Sequence, residues 1–165
     1  MRRMTRMLVA IDPGVNGGIV TSRQHAEAES ATIECHKMPD TEFGVCKLLA
    51  DISTQAREVV VYMEQPPLFT GNKIHGSSVG KMMWNAGILY GAAIAMGMEV
   101  HRGTPPTWQK AHPVGTKSGM TTTKWKNKLK ARAGELFPPS SGVTVTLWNA
   151  DALLILDAAR RGAIA

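Results

Sequence analysis

The chain has 165 residues, 44% hydrophobic and 19% charged, a composition that buries a core and excludes a disordered or fibrous protein. Lys and Arg outnumber Asp and Glu, 19 to 13, for a formal charge of +6 and a pI near 9.6, which favours an anionic partner, nucleic acid first. Two cysteines, Cys35 and Cys46, are too few for a disulfide framework or zinc site, and no apolar run is long enough to span a bilayer.

The first residues, Met1 to Arg6, are basic, and the apolar run behind them ends at Asp12, too soon for a secretory leader. They read as a flexible basic start, and the protein is expected in a reducing intracellular compartment: a bacterial or phage-infected cytoplasm, or an organelle. Met7 to Ile11 is a continuous apolar strand stopped by Asp12-Pro13-Gly14. Gly17-Gly18 opens a second strand, Ile19 to Ser22, so the pair reads as a hairpin. A third strand is expected within Ala31 to Met38. A helix follows over Glu42 to Arg57, with Phe43, Cys46, Leu49 and Ala50 on its apolar side.

Val59 to Met63 is apolar throughout, as a strand covered on both faces should be. After a Pro/Gly-rich loop, Ser78 to Gly97 reads as a long helix with Met82, Met83, Ala86, Leu89, Tyr90 and Ala93 as its stripe. Glu99 to Arg102 is a short strand. Thr121 to Phe137 is a helix, with Trp125, Leu129 and Leu136 inside and basic residues around the rest. Asn149 starts a last helix as its N-cap, apolar at Ala152, Leu153, Leu156 and Ala159. Strand hairpins followed by alternating helix and strand predict one α/β domain over the whole chain, a mixed sheet with helices on both faces.

Three acids sit at the edges of these apolar elements, where a merely solvated charge is unusual. Asp12 ends the first strand, Glu64 ends the central strand, and Asp151 lies in the first turn of the last helix. Acids at strand ends of an α/β sheet can converge. Converging carboxylates raise one another's pKa unless a hard divalent cation neutralises them. Two Mg²⁺ or Mn²⁺ ions in such a cluster would serve phosphodiester hydrolysis. Each acid alone could also be a turn residue or a helix N-terminal charge.

Ile11-Asp12-Pro13-Gly14, Gly17-Gly18 and Tyr62-Met63-Glu64-Gln65 resemble the first two acidic motifs of RuvC-type Holliday junction resolvases, within the RNase H-like superfamily. The helix bearing Gly80, Gly87 and Gly91, the segment Thr104 to Lys110, Leu136-Phe137-Pro138 and Ala150 to Ile155 are similar to later blocks of the same family, in its order and spacing. The likeness is strongest to the phage-type and chloroplast resolvases and runs from Met7 to Arg161. It implies an RNase H-like nuclease domain acting as a homodimer, each of whose two sites nicks one strand of a four-way junction. Asp12, Glu64 and Asp151 would be metal ligands. Lys124, matching a family lysine near the scissile phosphate, would stabilise transition-state charge.

One position departs from the pattern. The family places a fourth acid, or a histidine, three or four residues before the last Asp, where this chain has Trp148 and Leu147. Asn149 is the nearest oxygen donor and a weak candidate ligand. Asp157 reads as a surface charge. The second metal position is therefore expected to be weakened, completed by water, or absent.

For DNA, Lys124, Lys128 and Arg132 lie on one helical face at i, i+4 and i+8, with Lys110 and Lys117 before them. Phe69 is a candidate junction wedge and Lys73 a backbone contact in the loop after Glu64. His75, in the same loop, has no partner at metal-ligand spacing. Thr121 to Thr123 can cap the helix or bind a phosphate, and Trp84 reads as core or dimer interface. The competing readings are a flap or fork nuclease sharing the same acids, and a junction-binding protein that does not cut. The Asp-Pro-Gly and Gly-Gly turn also occurs in actin-like ATPases, but that fold needs two such domains. No small-molecule cofactor and no membrane association are expected.

Overall fold

Successive strand residues point to opposite faces, and here both faces are covered, one by each of two core clusters. The structure, a computed structural model, describes residues 6–24, 31–67 and 76–164. Phe69, Lys73 and His75, and the first five residues, lie outside the described residues. Five strands form one sheet: β1 (Arg6–Asp12), β2 (Gly18–Arg23), β3 (Thr32–Lys37), β4 (Glu58–Glu64) and β5 (Glu99–Gly103). The order across the sheet is β3-β2-β1-β4-β5. The β1–β2 and β2–β3 pairs are antiparallel, whereas β1–β4 and β4–β5 are parallel. The sheet is thus mixed, as the element order predicts. Arg6, expected in the flexible start, is already in β1 and pairs with Glu58 at 3.1 Å.

Odd-numbered residues of β1 and β4 face one side. Met7, Val9, Ile11, Val59, Val61 and Met63 pack there under helices α1 (Glu42–Ser53) and α2 (Gly76–Ala95). Even-numbered Leu8, Ala10 and Tyr62 face the other, where α3 (Pro105–Gln109), α4 (Thr122–Leu136) and α5 (Ala150–Arg160) lie. α5 is the deepest helix, with every residue from Ala150 to Leu156 buried. Leu153, Leu154, Ile155 and Leu156 are at most 2% exposed, and burying each contributes about 1.5–3 kcal/mol. That apolar burial offsets the cost of carrying Asp151 in the same turn.

Several expected faces shift by a position or two. α1 buries Val45, Leu49 and Ile52 and stops at Ser53. Phe43, expected inside, is 78% exposed, because the i, i+4, i+7 row that meets the sheet begins at Val45. α2 buries Ala86, Leu89 and Ala93, while Trp84 is 67% exposed and so is not core. A Cβ built on Gly80, Gly87 or Gly91 meets nothing within 4 Å, so these glycines do not approach the sheet. In α4 the third buried residue is Ala133, with Leu136 only half-buried. The residues after Thr104 form the short helix α3, which opens on Pro105-Pro106. No helix among the described residues is long and apolar enough to cross a membrane. Cys35 and Cys46 are free.

Candidate active site

The register of the two central strands brings the first two acids together. Ile11 pairs with Met63 across the parallel β1–β4 ladder, so Asp12 and Glu64, one residue on, end adjacent strands side by side. Both are even-numbered and therefore face α5. Asp151, in the first turn of α5, approaches the same sheet edge.

Asp12 is 8% exposed, and its Oδ1 accepts a hydrogen bond from the Gly14 amide at 3.0 Å. The turn behind it closes through the Gly17 amide donating to the Gly14 carbonyl at 2.8 Å. Any side chain at 17 would collide with this aspartate: a Cβ there would lie 2.3 Å from the Asp12 carbonyl and 2.7 Å from its carboxyl carbon. At Gly18 a Cβ would stand 2.8 Å from the Trp148 ring and 2.9 Å from the His36 carbonyl. The Gly-Gly pair is thus required by close approach, not by turn conformation alone.

Glu64 is held by a residue that sequence reasoning passed over. The Trp108 indole, 2% exposed, donates from Nε1 to Glu64 Oε2 at 2.8 Å. The available signal was general: a buried tryptophan needs an acceptor for its N–H, and the segment Thr104 to Lys110 lies on the site side of the sheet.

Lys126 is the second such residue. Its Nζ is hydrogen-bonded and ion-paired to Asp151 Oδ2. The sequence pointed to Lys124, but Lys124 is exposed, and its amide donates to the Thr121 Oγ1 that caps α4. Two residues along a helix turn the side chain by about 200°, so Lys124 and Lys126 face different ways. Lys126 flanks the buried Trp125 and Leu129. From there a lysine can lay its stem on apolar surface and deliver its ammonium to an acid.

The electrostatics agree with this crowding. Burial, then repulsion from Asp151, raises the Asp12 pKa above the usual carboxylate range, against the pull of the Gly14 amide and Lys126. Burial, then the charge of Asp12, pushes Glu64 up to about 8, although the Trp108 hydrogen bond opposes the shift. Burial works against the Lys126 charge, but attraction to Asp151, followed by Asp12 and Glu64, outweighs it and raises its pKa. Asp151 Oδ1 is buried and has no hydrogen-bond partner.

An all-oxygen donor set with one orphaned carboxylate oxygen suits a hard divalent cation. Among the described residues, no three Asp, Glu, His or Cys side chains stand close enough to hold one ion together. Asn149 contributes no oxygen to this set. Its Oδ1 accepts from the Thr146 amide at 2.7 Å and its Nδ2 donates to the Thr144 carbonyl at 2.9 Å. It occupies the N-cap position of α5, yet its side chain makes no capping bond: it braces the preceding loop instead. Leu147 is 52% exposed and Trp148 lies over Gly18.

Among the basic residues, Lys110, Lys117, Lys124 and Lys128 are exposed. Arg132 is half-buried and paired with Glu135 at 2.8 Å, so its charge is already partnered. Asp157 is not the surface charge expected of it. Its side chain is 17% exposed, paired with Arg161 at 2.7 Å and 3.9 Å from His112 Nδ1.

No protein-family model matches this chain, and no curated protein sequence does. Solved structures do match. The chain is similar to Thermus thermophilus RuvC in complex with a Holliday junction substrate, at 16% identity and a TM-score of 0.59, with 96% of this chain and 98% of that one covered. A second Thermus thermophilus RuvC structure matches at 17% identity and a TM-score of 0.55 with the same coverage. The fold is therefore that of RuvC: the mixed, RNase H-like sheet the sequence resemblance implies.

Proposed function

We propose that this protein is a metal-dependent endonuclease that resolves four-way DNA junctions by paired, symmetric nicks. The observation that carries the reading is the meeting of Asp12, Glu64 and Asp151 on one edge of the sheet, with Lys126 among them, in the fold that RuvC displays on a Holliday junction. Asp12 and Glu64, with Asp151 beside them, would hold Mg²⁺ or Mn²⁺ together with water and phosphate oxygens. When bound, such a cation lowers the pKa of an attacking water and stabilises charge at phosphorus.

The chain's own residues supply the rest. The Gly14 amide and the Trp108 indole fix the directions in which Asp12 and Glu64 present their oxygens. Lys126 keeps Asp151 in place and brings positive charge to where a phosphate would enter. Lys110, Lys117, Lys124 and Lys128 offer exposed ammonium groups for backbone phosphates, a sequence-tolerant mode of binding. In this reading Lys124 is a phosphate contact and Lys126 takes the catalytic place.

The protein would act as a homodimer, so that two sites face the two strands to be cut. The stripe Gly80, Trp84, Gly87, Gly91 and Ile94 along α2 is exposed and apolar or small, and a second copy would cover it. A DNA substrate and two free cysteines fit a reducing intracellular setting.

The test is cleavage of a labelled four-way junction beside linear duplex, flap and fork DNA, with Mg²⁺, Mn²⁺ or EDTA. Paired nicks on the junction alone, abolished by EDTA, are expected. Equal cutting of flaps and forks would make it a general branched-DNA nuclease. Tight junction binding without cuts under either metal would make it a binding protein.

A further inference from the structure

Among the three acids of the site, one place is already taken by a cation of the chain itself. Lys126 Nζ sits on Asp151 Oδ2, and the Asp151 side chain is 8% exposed while the lysine's is 42% exposed. A second metal ion on the Asp151 side would need oxygen donors besides Asp151, and the residues just before α5 are the nearest in the chain. Leu147 and Trp148 stand there, neither with a donor for a hard cation. Asn149 has turned its carbonyl oxygen to the Thr146 amide. Charge balance points the same way: once a bound cation keeps all three carboxylates ionised, they and one ammonium leave two negative charges, the amount a single divalent ion neutralises.

We propose that the Lys126 ammonium stands in for a second metal ion, so that the site takes one divalent cation per chain, held chiefly by Asp12 and Glu64. The inference rests on the metal-dependent nuclease reading. It narrows that reading from the two ions the acid cluster alone suggests to one ion plus a lysine. It also explains how the chain does without the fourth acid. A fixed ammonium needs a single carboxylate partner, whereas an ion needs several oxygens around it.

The test counts Mn²⁺ bound per chain without DNA, by calorimetry and by the electron paramagnetic resonance of free Mn²⁺. One ion per chain is expected for the wild type. Lys126→Met keeps the stem and removes the charge, and should tighten Mn²⁺ binding about tenfold or more, because a nearby positive charge no longer repels the ion. Lys126→Arg keeps the charge and should stay at one ion with wild-type affinity. The melting transition of each variant verifies that it is folded. Two ions in the wild type, or unchanged affinity in folded Lys126→Met, would overturn the inference and leave the nuclease reading standing. No Mn²⁺ binding by the folded wild type would overturn both.

Discussion

Helix α5 carries two aspartates, Asp151 near its start and Asp157 near its end, each shielded from solvent and each paired with a base. Asp157 is engaged through its Oδ2. The Arg161 guanidinium, one turn on, donates to its Oδ2 from Nε at 2.8 Å, its Nη2 lies at 2.7 Å, and the His112 ring stands at 3.9 Å. Burial, the largest influence, lowers the His112 pKa, and the hydrogen bond to the Leu154 carbonyl, then Asp157, act against it. Asp151 is left short. One oxygen meets Lys126, the other has no partner, and two further acids raise the local negative charge. The same residue type on the same helix thus serves as a fastener at one end and as part of a strained site at the other. What separates them is the count of neighbouring charges, not depth.

The largest effect should come from neutralising the strained end. Asp12→Asn keeps the acceptor for the Gly14 amide but loses the charge, and junction cleavage should fall by about 10²-fold or more. Without metal, the same variant should melt higher than wild type at neutral pH, since its ionised carboxylate is disfavoured in the folded state. Asp157→Asn should do the reverse, leaving cleavage nearly intact and lowering stability by about 1 kcal/mol, a value discounted for the partial exposure of Arg161. Parallel cleavage assays and thermal melts separate the two. Equal losses of activity in both would erase the distinction between fastener and site.

A pH series sharpens it next. Glu64 has a folded pKa of about 8 against an ordinary 4.5, so the folded chain holds this proton more tightly than the unfolded one. Its contribution to stability is fully present below about 4.5 and is lost as pH rises through about 8. The metal-free melting temperature should therefore decline over that window. Glu64→Gln should flatten the decline, and saturating Mg²⁺ should oppose it by favouring the ionised carboxylate. A melting temperature that rises across the same window in metal-free protein would contradict the crowded-acid picture.

The smallest effect concerns the basic residues, which divide in the same way. Lys124 and Lys128 are exposed, whereas Arg132 is engaged with Glu135. Replacing either lysine by Ala should reduce the slope of log affinity against log salt by about 0.9 for junction DNA. Arg132→Ala should change it less. Equal slopes for all three would mean that Arg132 leaves Glu135 when DNA arrives.

The strands, the helix order and the three acids were legible because they rest on local pattern: apolar runs ended by a charge and a turn. Lys126 was not. The α4 sequence presents Lys124, Lys126, Lys128 and Lys130 in alternation, and which of them meets Asp151 depends on the rotation of α4 against α5, set by Trp125, Leu129 and Ala133. Trp108 was missed for a similar reason, since its acceptor stands on a strand far away in the chain. Asp157 was misjudged because helical angle alone carries no information about what packs opposite, here His112 from the loop before α4.

The strand register has a consequence for how the protein matures. Asp12 and Glu64 share a face only because β1 and β4 pair with Ile11 beside Met63; a slip of one residue in either strand would turn its acid under α1 and α2. Asp151 joins them only when α5 has docked on the sheet. The Gly14 amide bond to Asp12 is local, but the contacts that join the elements of the site, Trp108 to Glu64 and Lys126 to Asp151, are long-range and cannot form by local structure alone. Assembly of the three acids therefore waits on tertiary docking of α5 and not on any local signal in the strands that carry Asp12 and Glu64.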